Sequence, residues 1–450
     1  MQRRLKVLLI AESANPEWSS VSLIGWSLSL ALRDKVDAHV VTHLRNKEAL
    51  EKAGWRDGRE YTAIDPGRVE NPINRIGEAV RKVARLGWTW TTALSIPAYY
   101  HFEGLAWSRF GEQIRNGGFD LVHRITPVSP ATPSPLAVRC RKASVPFVWG
   151  PINGGVPWPK EFRSALRREG EWLSYVRGAH RFLPGYRATR KAASALITGS
   201  TYAWAELKGH HERCVYLPEN AIEPRRFEGI APSRREGPLR ISFAGRLVPL
   251  KGVDMLLEAA APLVRAGKVT IDIIGDGPEM PALRKQAAEL QIADGVALPG
   301  GWIDHRDVLQ RLAQSQVFAF PSIREFGGGV LLEAMAFGVV PVVVNHGGPG
   351  ELVTDATGVR IPIGSRASIV AAFREVLTSL AASPERVEQI GERARRRVFD
   401  LFTWEVKARQ IVDIYRWVLG EREKPDFGMP LQDAPAAPGD DQRSAARISR

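Results

Sequence analysis

The stretch "REFGGGVLLEAMAFGVVPVVV", Arg324 to Val344, decides the fold. Its two glutamates, Glu325 and Glu333, stand eight residues apart, with three consecutive glycines just after the first. Glycine in a helix costs roughly 1 kcal/mol relative to alanine, so a helix is predicted only beyond them, over Val330 to Phe337. Gly338 and then "VVPVVV" follow, a β-branched run of the kind found in buried strands. The glycines therefore sit where a loop turns into a helix. A helix start offers unpaired backbone N–H groups and a positive dipole end, and glycines put no side chain in the way of an anion.

Outward from this unit, strand and helix alternate twice over. In the first half "KVLLIAE", "DAHVVTHL", "FDLVHRIT", "VPFVWGP" and "SALITGS" read as strands; in the second, "LRISFAGRL", "VTIDIIGDG", "GVALPGG", "QVFAFPS" and "VVPVVVN". Helical patterns such as "GVDMLLEAAAPLVRAG" and "PEMPALRKQAAELQI" separate them. This rhythm predicts an α/β fold with two Rossmann-like domains facing across a cleft, with ligands beyond the carboxyl ends of the strands. The expected divisions are an N-terminal Rossmann-like domain over 1–216, a Pro- and charge-rich linker over 217–238 and a second domain over 239–400. An amphipathic helix, "FTWEVKARQIVDIYRWVLGE", is placed in 401–423, and a disordered tail in 424–450. No internal repeat of roughly 20 to 50 residues is found beyond the shared domain rhythm.

Composition sets the boundaries of function. At 450 residues, with 44% hydrophobic and 25% charged residues, the chain is ordinary for a globular protein with sizeable cores. No window approaches the roughly 18 uninterrupted apolar residues of a transmembrane helix. The start, "MQRRLKVLLIAES", has too short an apolar run for a signal peptide and reads as a first buried strand. Cys140 and Cys214 are too few for a disulfide framework or a zinc site, which favours a reducing cytoplasm. The net charge of +13 fits either a solvated basic surface or attraction to nucleic acid, anionic lipid or phosphorylated substrates. It is dense over Lys160–Lys191, a helical, aromatic-studded stretch.

The strand ends of the second half carry the chemistry. "FAGRLVPLKG" supplies Arg246 and Lys251 on one loop, a guanidinium and an ammonium suited to a diphosphate. By itself it is equally an ordinary solvated loop. "IIGDGPE" alone is only a turn. Glu325 lies in the loop and Glu333 on the helix. At about 1.5 Å per residue eight positions span roughly 12 Å, so the two can hold the two ends of a sugar–diphosphate–ribose ligand, with phosphates beside the glycines. In the first half, His123 in "DLVHRITPVSP" ends a strand facing the cleft. It is read either as an acceptor contact or proton handler or as a hydrogen-bonded structural histidine. Asn153, in "PINGG", is read as a sugar-hydroxyl contact or a turn asparagine, and His210 and His211 as structural.

Taken together, "GRLVPLKG", "GDGPE", "PSIREFGGGVLLEAMAFGVVPVV", "GGPGELV" and the "FTWE…DIY" helix resemble glycosyltransferase family 4 in order and spacing, over Leu239 to about Tyr415. That resemblance implies the GT-B fold and retaining, metal-independent transfer. It implies that Arg246 and Lys251 bind the donor diphosphate, that Glu325 contacts the donor sugar and that Glu333 holds the ribose hydroxyls. Gly328, Gly329 and Val330 would supply amides to phosphate and sugar. The chain departs from the pattern where Gly327 stands in the place of the family's aromatic and Ala221 in that of a linker glycine. In the first domain Ser19 and Ser20 replace the family's paired glycines, which leaves the Ser20 and Val21 amides as candidates. Gly150 or Pro151 stands where the family often has a histidine.

The expected activity is therefore transfer of a sugar from a nucleotide-diphosphate donor to an acceptor hydroxyl, in polysaccharide or glycolipid assembly. No cofactor and no metal is expected, since no Asp-x-Asp clamp occurs. The expected partners are the nucleotide-sugar donor and a carbohydrate or lipid-linked acceptor, with no nucleic acid. Basic, aromatic stretches at Asn74–Phe102 and Lys160–Lys191 suggest a cytoplasmic enzyme that docks on an anionic membrane face. Two alternatives stand beside this. An epimerase or phosphorylase on the same fold would need its own acid–base set or a cofactor lysine, and neither motif is evident. A nucleic-acid binder would use the charge but leave the donor motifs unexplained.

Overall fold

The computed structural model describes residues 3–73, 88–162, 180–232, 237–301 and 303–429. Seven strands form the first sheet: β1 Lys6–Ala11, β2 Asp37–His43, β3 Tyr61–Ile64, β4 Leu121–Thr126, β5 Phe147–Ile152, β6 Ala195–Thr198 and β7 Cys214–Tyr216. Six form the second: β8 Leu239–Ala244, β9 Val269–Ile274, β10 Val296–Ala297, β11 Val317–Phe320, β12 Val340–Asn345 and β13 Val359–Pro362. Their orders are β3-β2-β1-β4-β5-β6-β7 and β10-β9-β8-β11-β12-β13, parallel throughout. Central strands are buried along their length, as in sheets covered on both faces. Covering helices are one-sided: in Val253–Arg265 the residues Val253, Leu256, Leu257, Ala260 and Val264 are buried at helical spacing. In each sheet the strand order reverses once, between β1 and β4 and between β8 and β11, which opens a crevice at the carboxyl ends.

The chain crosses between the sheets twice, and the two crossings are tied together. Ile222 in the linker donates its N–H to Phe402 O (2.7 Å) and accepts from Trp404 N (3.1 Å). The helix Trp404–Val418 then returns to pack on Val21–Arg33 of the first domain, with Lys35 paired to Glu405 at 3.2 Å. Beyond this helix, the stretch expected to be a tail from Lys424 is ordered through Met429, which is buried. The Lys424 amine reaches back to His211 O (3.1 Å) and lies 5.8 Å from the Trp417 ring. Residues 430–450 lie outside the described residues.

His123 does not face the cleft, contrary to that expectation. β4 runs three residues beyond it, so the cleft wall is built from Val128 to Ala131 instead. The ring is fully buried between β5 and the returning helix. Its Nε2–H donates to Gly150 O (2.6 Å), and the Tyr415 hydroxyl donates to Nδ1 (2.6 Å). Both nitrogens are thereby committed to the neutral tautomer, and burial pulls the imidazole down to about 4.

A depressed folded-state value means that the stability linked to His123 is present above the ordinary imidazole range and is lost as pH falls towards 4. The shift corresponds to about 3 kcal/mol over that window. His123→Gln is expected to flatten the fall of unfolding free energy between pH 6.5 and about 4. Parallel pH curves for the two proteins, measured by urea unfolding, would show that His123 is not buried neutral.

Candidate functional site

A cleft of about 1850 Å³ lies between the carboxyl ends of the two sheets. On the second domain's side, β8 ends in Gly245 and an exposed Arg246. The next strand's "GDGPE" turn packs against this loop, with Leu247 N bonded to Asp276 O (2.8 Å) and Glu279 N to Leu247 O (3.1 Å). Read alone, that turn carried no function; in the fold it braces the loop that presents Arg246. A short turn over Pro249–Lys251 then carries the Lys251 amine to the Glu325 carboxylate, with which it is ion-paired, 5.0 Å from the Phe320 ring.

The glycine-rich stretch behaves as its composition demands. The helix spans Gly329–Ala336, and its N-cap, Gly328, has φ 88°, a left-handed backbone that residues with a Cβ rarely adopt. No side chain caps this end, so its first amides face the cleft that Gly328, Gly329 and Val330 line. Glu333 lies on the same helix and also lines the cleft, where it accepts a bond from His305 Nε2 (2.9 Å). That bond and the carboxylate's charge outweigh burial and raise the His305 imidazole above its ordinary value. The fold thus gathers Arg246, Lys251, Glu325, Gly328, Gly329, Val330 and Glu333 around one concavity. Two cations beside a helix N-terminus suit a diphosphate, and the two carboxylates suit hydroxyls.

The first domain contributes a different wall. Ser20, with φ 61°, precedes the helix Val21–Arg33, and both Ser20 and Val21 line the cleft. Val128, Pro130, Ala131, Leu183 and Ala205 add an apolar face, with Arg181 and Lys208 at its edge. Asn153 lines the cleft floor, but its amide is already engaged. Nδ2 donates to Glu219 Oε1 (2.5 Å) and Phe326 O (3.0 Å), while Oδ1 accepts from Gly154 N (2.7 Å). Rather than a free sugar contact, it is a tie between the domains, as a buried amide with every polar group paired should be.

Further ties surround it. Arg324 Nε donates to Val156 O (3.1 Å), and His346 Nε2 to Pro157 O (3.0 Å). Glu351, in the "GGPGELV" motif, accepts from Thr201 N (3.0 Å), Thr201 Oγ1 (2.8 Å) and the Tyr216 hydroxyl (2.7 Å). Among the described residues no three His, Cys, Asp or Glu side chains converge in a metal-ligating group.

A profile described as "Glycosyl transferases group 1" matches residues 227–397. A GDP-mannose-dependent alpha-(1-6)-phosphatidylinositol monomannoside mannosyltransferase of Mycolicibacterium smegmatis is 32% identical over 270 residues, 58% of this chain and 66% of that protein. The chain belongs to the group 1 glycosyl transferases. Within that family, a glycogen synthase of Mycobacterium tuberculosis is 31% identical over 214 residues, 47% of this chain. The match spans only half the length of that relative, 50%. Sucrose-phosphate synthase of Thermosynechococcus elongatus shares the fold at TM-score 0.60 and 15% identity, over 93% of this chain and 100% of that one. HepE of Anabaena, solved with UDP, does so at TM-score 0.57 and 18% identity, over 91% and 99%. The fold is GT-B.

Sequence reasoning passed over several residues of the cleft in this group 1 chain. His305 begins the helix His305–Ala313, and nothing in "WIDHRDV" marked it as Glu333's partner. Glu219 and Asn220 sit in the linker, where the absence of periodicity hid them. Glu351 lay in a recognised motif, yet its partners are 135 and 150 residues away in the chain.

Glu351→Ala strips the acceptor from three donors at the domain contact, two of them on the nearly buried Thr201. The expected loss is about 2–4 kcal/mol of unfolding free energy. Denaturant unfolding with a change below about 0.5 kcal/mol would mean that water replaces the carboxylate without cost.

Proposed function

We propose that this chain is a retaining glycosyltransferase that moves a sugar from a nucleotide-diphosphate donor to an acceptor hydroxyl. The observation that carries the reading is the joint placement, in one cleft, of Arg246, Lys251, the uncapped helix start at Gly328–Val330 and the carboxylates Glu325 and Glu333. Glu333, steadied by His305, takes the ribose hydroxyls, and Glu325 takes the donor sugar. The Lys251–Glu325 pair opens when a diphosphate arrives, because the phosphates compete for the ammonium and free the carboxylate for hydroxyls. As the glycosidic C–O bond breaks, negative charge grows on the diphosphate and is stabilised by Arg246, Lys251 and the helix-end amides. The acceptor attacks from the same face, and its hydroxyl proton passes to the departing phosphate oxygen. No covalent nucleophile, cofactor or metal is required.

The apolar wall of the first domain favours a glycolipid acceptor. Phe182, 89% exposed, stands between Arg181 and Leu183 of the cleft lining, and Trp18, 44% exposed, precedes Ser19 and Ser20 of the same lining. Two exposed aromatic rings adjoining the lining, one of them next to Arg181, suit the headgroup region of an anionic membrane. The relatives named for phosphatidylinositol mannoside substrates point the same way. Much of the sequence evidence for docking lies outside the described residues: Arg75, Arg81, Lys82 and Arg85, and 163–179. Of the aromatics that can be followed, Tyr99 and Phe102 pack inward, and the Tyr100 hydroxyl is bonded to Pro184 O (2.5 Å). No described helix is long and apolar enough to cross a membrane.

Two measurements test the reading. Glu325→Ala and Lys251→Ala are each expected to lower transfer by more than about tenfold, the loss of a charge-assisted contact of about 1.5–3 kcal/mol. EDTA should leave wild-type transfer intact. Wild-type rates in both variants, or a loss on chelation restored by Mg²⁺ or Mn²⁺, would overturn the assignment. For the acceptor, the chain should sediment with anionic vesicles at low salt, and Phe182→Ser with Trp18→Ser should weaken this. Equal recovery in the supernatant with neutral and anionic lipid would remove the membrane from the proposal.

A further inference from the structure

Two features have no part in the transfer chemistry above: Gly327, where the sequence departs from its family, and a buried acid, Glu219, opposite a buried amine, Lys407. They belong to one arrangement. We infer that Glu219 is a positioning residue for the donor loop, holding the backbone of Glu325–Gly327 through Asn153, with Lys407 as its buried counter-charge; this rests on the transfer reading above.

The path can be followed atom by atom. Glu219 Oε1 accepts from Asn153 Nδ2 at 2.5 Å and from Asn220 Nδ2 at 3.3 Å. The same Asn153 nitrogen donates to Phe326 O at 3.0 Å, the carbonyl directly after Glu325. One amide thus joins the linker, the first domain and the donor loop. Glycines close both sides of the carboxylate. A Cβ at Gly327 would lie 2.2 Å from Asn220 Nδ2 and 2.8 Å from Glu219 Oε1, and one at Gly199 would lie 2.2 Å from Glu219 Oε2. Gly327 therefore leaves room for the Glu219–Asn220 pair of the linker, and an aromatic side chain there would displace it.

Lys407 completes the set. It is 2% exposed on the returning helix, and its Nζ has no hydrogen-bond partner among the described residues, lying 4.9 Å from the Phe402 ring. Glu219 and Lys407 line the same small pocket of about 10 Å³, together with Pro151 and Trp404. That is roughly the space for one water-sized bridge between them. Burial pushes the Glu219 carboxyl up and the Lys407 amine down, and each favours the other's charged form. Glu351 opposes ionisation of Glu219, Arg397 opposes that of Lys407, and the Tyr216 phenol faces the same acids. A carboxylate at Glu219 makes a charge-assisted bond to Asn153 that a neutral side chain does not.

The relay ends at the residue that contacts the donor sugar, and Arg246 and Glu333 lie off it. Its loss should therefore remove affinity for the sugar and spare affinity for the nucleotide. The test is calorimetric titration of the full chain with UDP, GDP and ADP, and with UDP-glucose, GDP-mannose and ADP-glucose. The readout is the ratio of nucleotide Kd to nucleotide-sugar Kd. Glu219→Gln should lower that ratio about fivefold or more, with the nucleoside diphosphate Kd unchanged. Gly327→Ala, which leaves every charge in place, should lower the ratio too. If both variants keep the wild-type ratio, Glu219 does not position the loop. A wild type that binds none of the three nucleotides overturns the transfer reading beneath it.

Discussion

Parallel pairing is the constraint on which the rest depends. Each parallel strand must be reached by a crossover, so every carboxyl end in a sheet emerges along the same edge. Both sheets here are parallel throughout, and each reverses its order once. The loops that leave β1, β4, β8 and β11 are therefore driven into one region each, and the two regions face each other across the cleft. What keeps them facing is the double crossing of the chain. Ile222 is laddered to Phe402 and Trp404, and His123 is pinned by Tyr415. A histidine at the middle of a buried strand thereby holds the last helix to the first domain.

The second consequence is electrostatic. A concave site that collects cations and carboxylates must keep them paired or hydrated, because partial burial raises the cost of an isolated charge. Here the pairs are made between groups suited to opposite ends of one ligand. Lys251 holds Glu325, and His305 holds Glu333. Each carboxylate is oriented before anything binds, and each pair can exchange partners with a ligand that carries both phosphate and hydroxyl. Arg246 stays exposed at the end of β8, which suits a first contact with an anion.

The domain contact follows a different rule. Its acids are buried and satisfied by neutral donors: Glu351 by Thr201 and Tyr216, Glu219 by Asn153 and Asn220. Burial raises both carboxyls above their ordinary range. Such groups fix geometry more than they add stability, since removing one partner leaves another unpaired. Asn153 serves the same end when it joins the linker to the Phe326 carbonyl.

Fold class and the central strands were legible in the sequence, because a β-branched run such as "VVPVVV" announces burial on both faces. The sequence also determined where the glycine-rich helix begins, through backbone freedom that is local to the residue. It missed β3, β7 and β13, which are edge strands of three or four residues, too short for a pattern to declare itself. Tertiary structure alone decided the partners. His305 meets Glu333 across 28 residues, Glu219 meets Asn153 across 66, and Glu351 meets Thr201 across 150. It also turned His123 inward, because β4 continues beyond it to Thr126. Periodicity reports which face of an element is buried, a local property; which side chain waits on that face depends on how distant segments pack, and one sequence read along its length does not carry that.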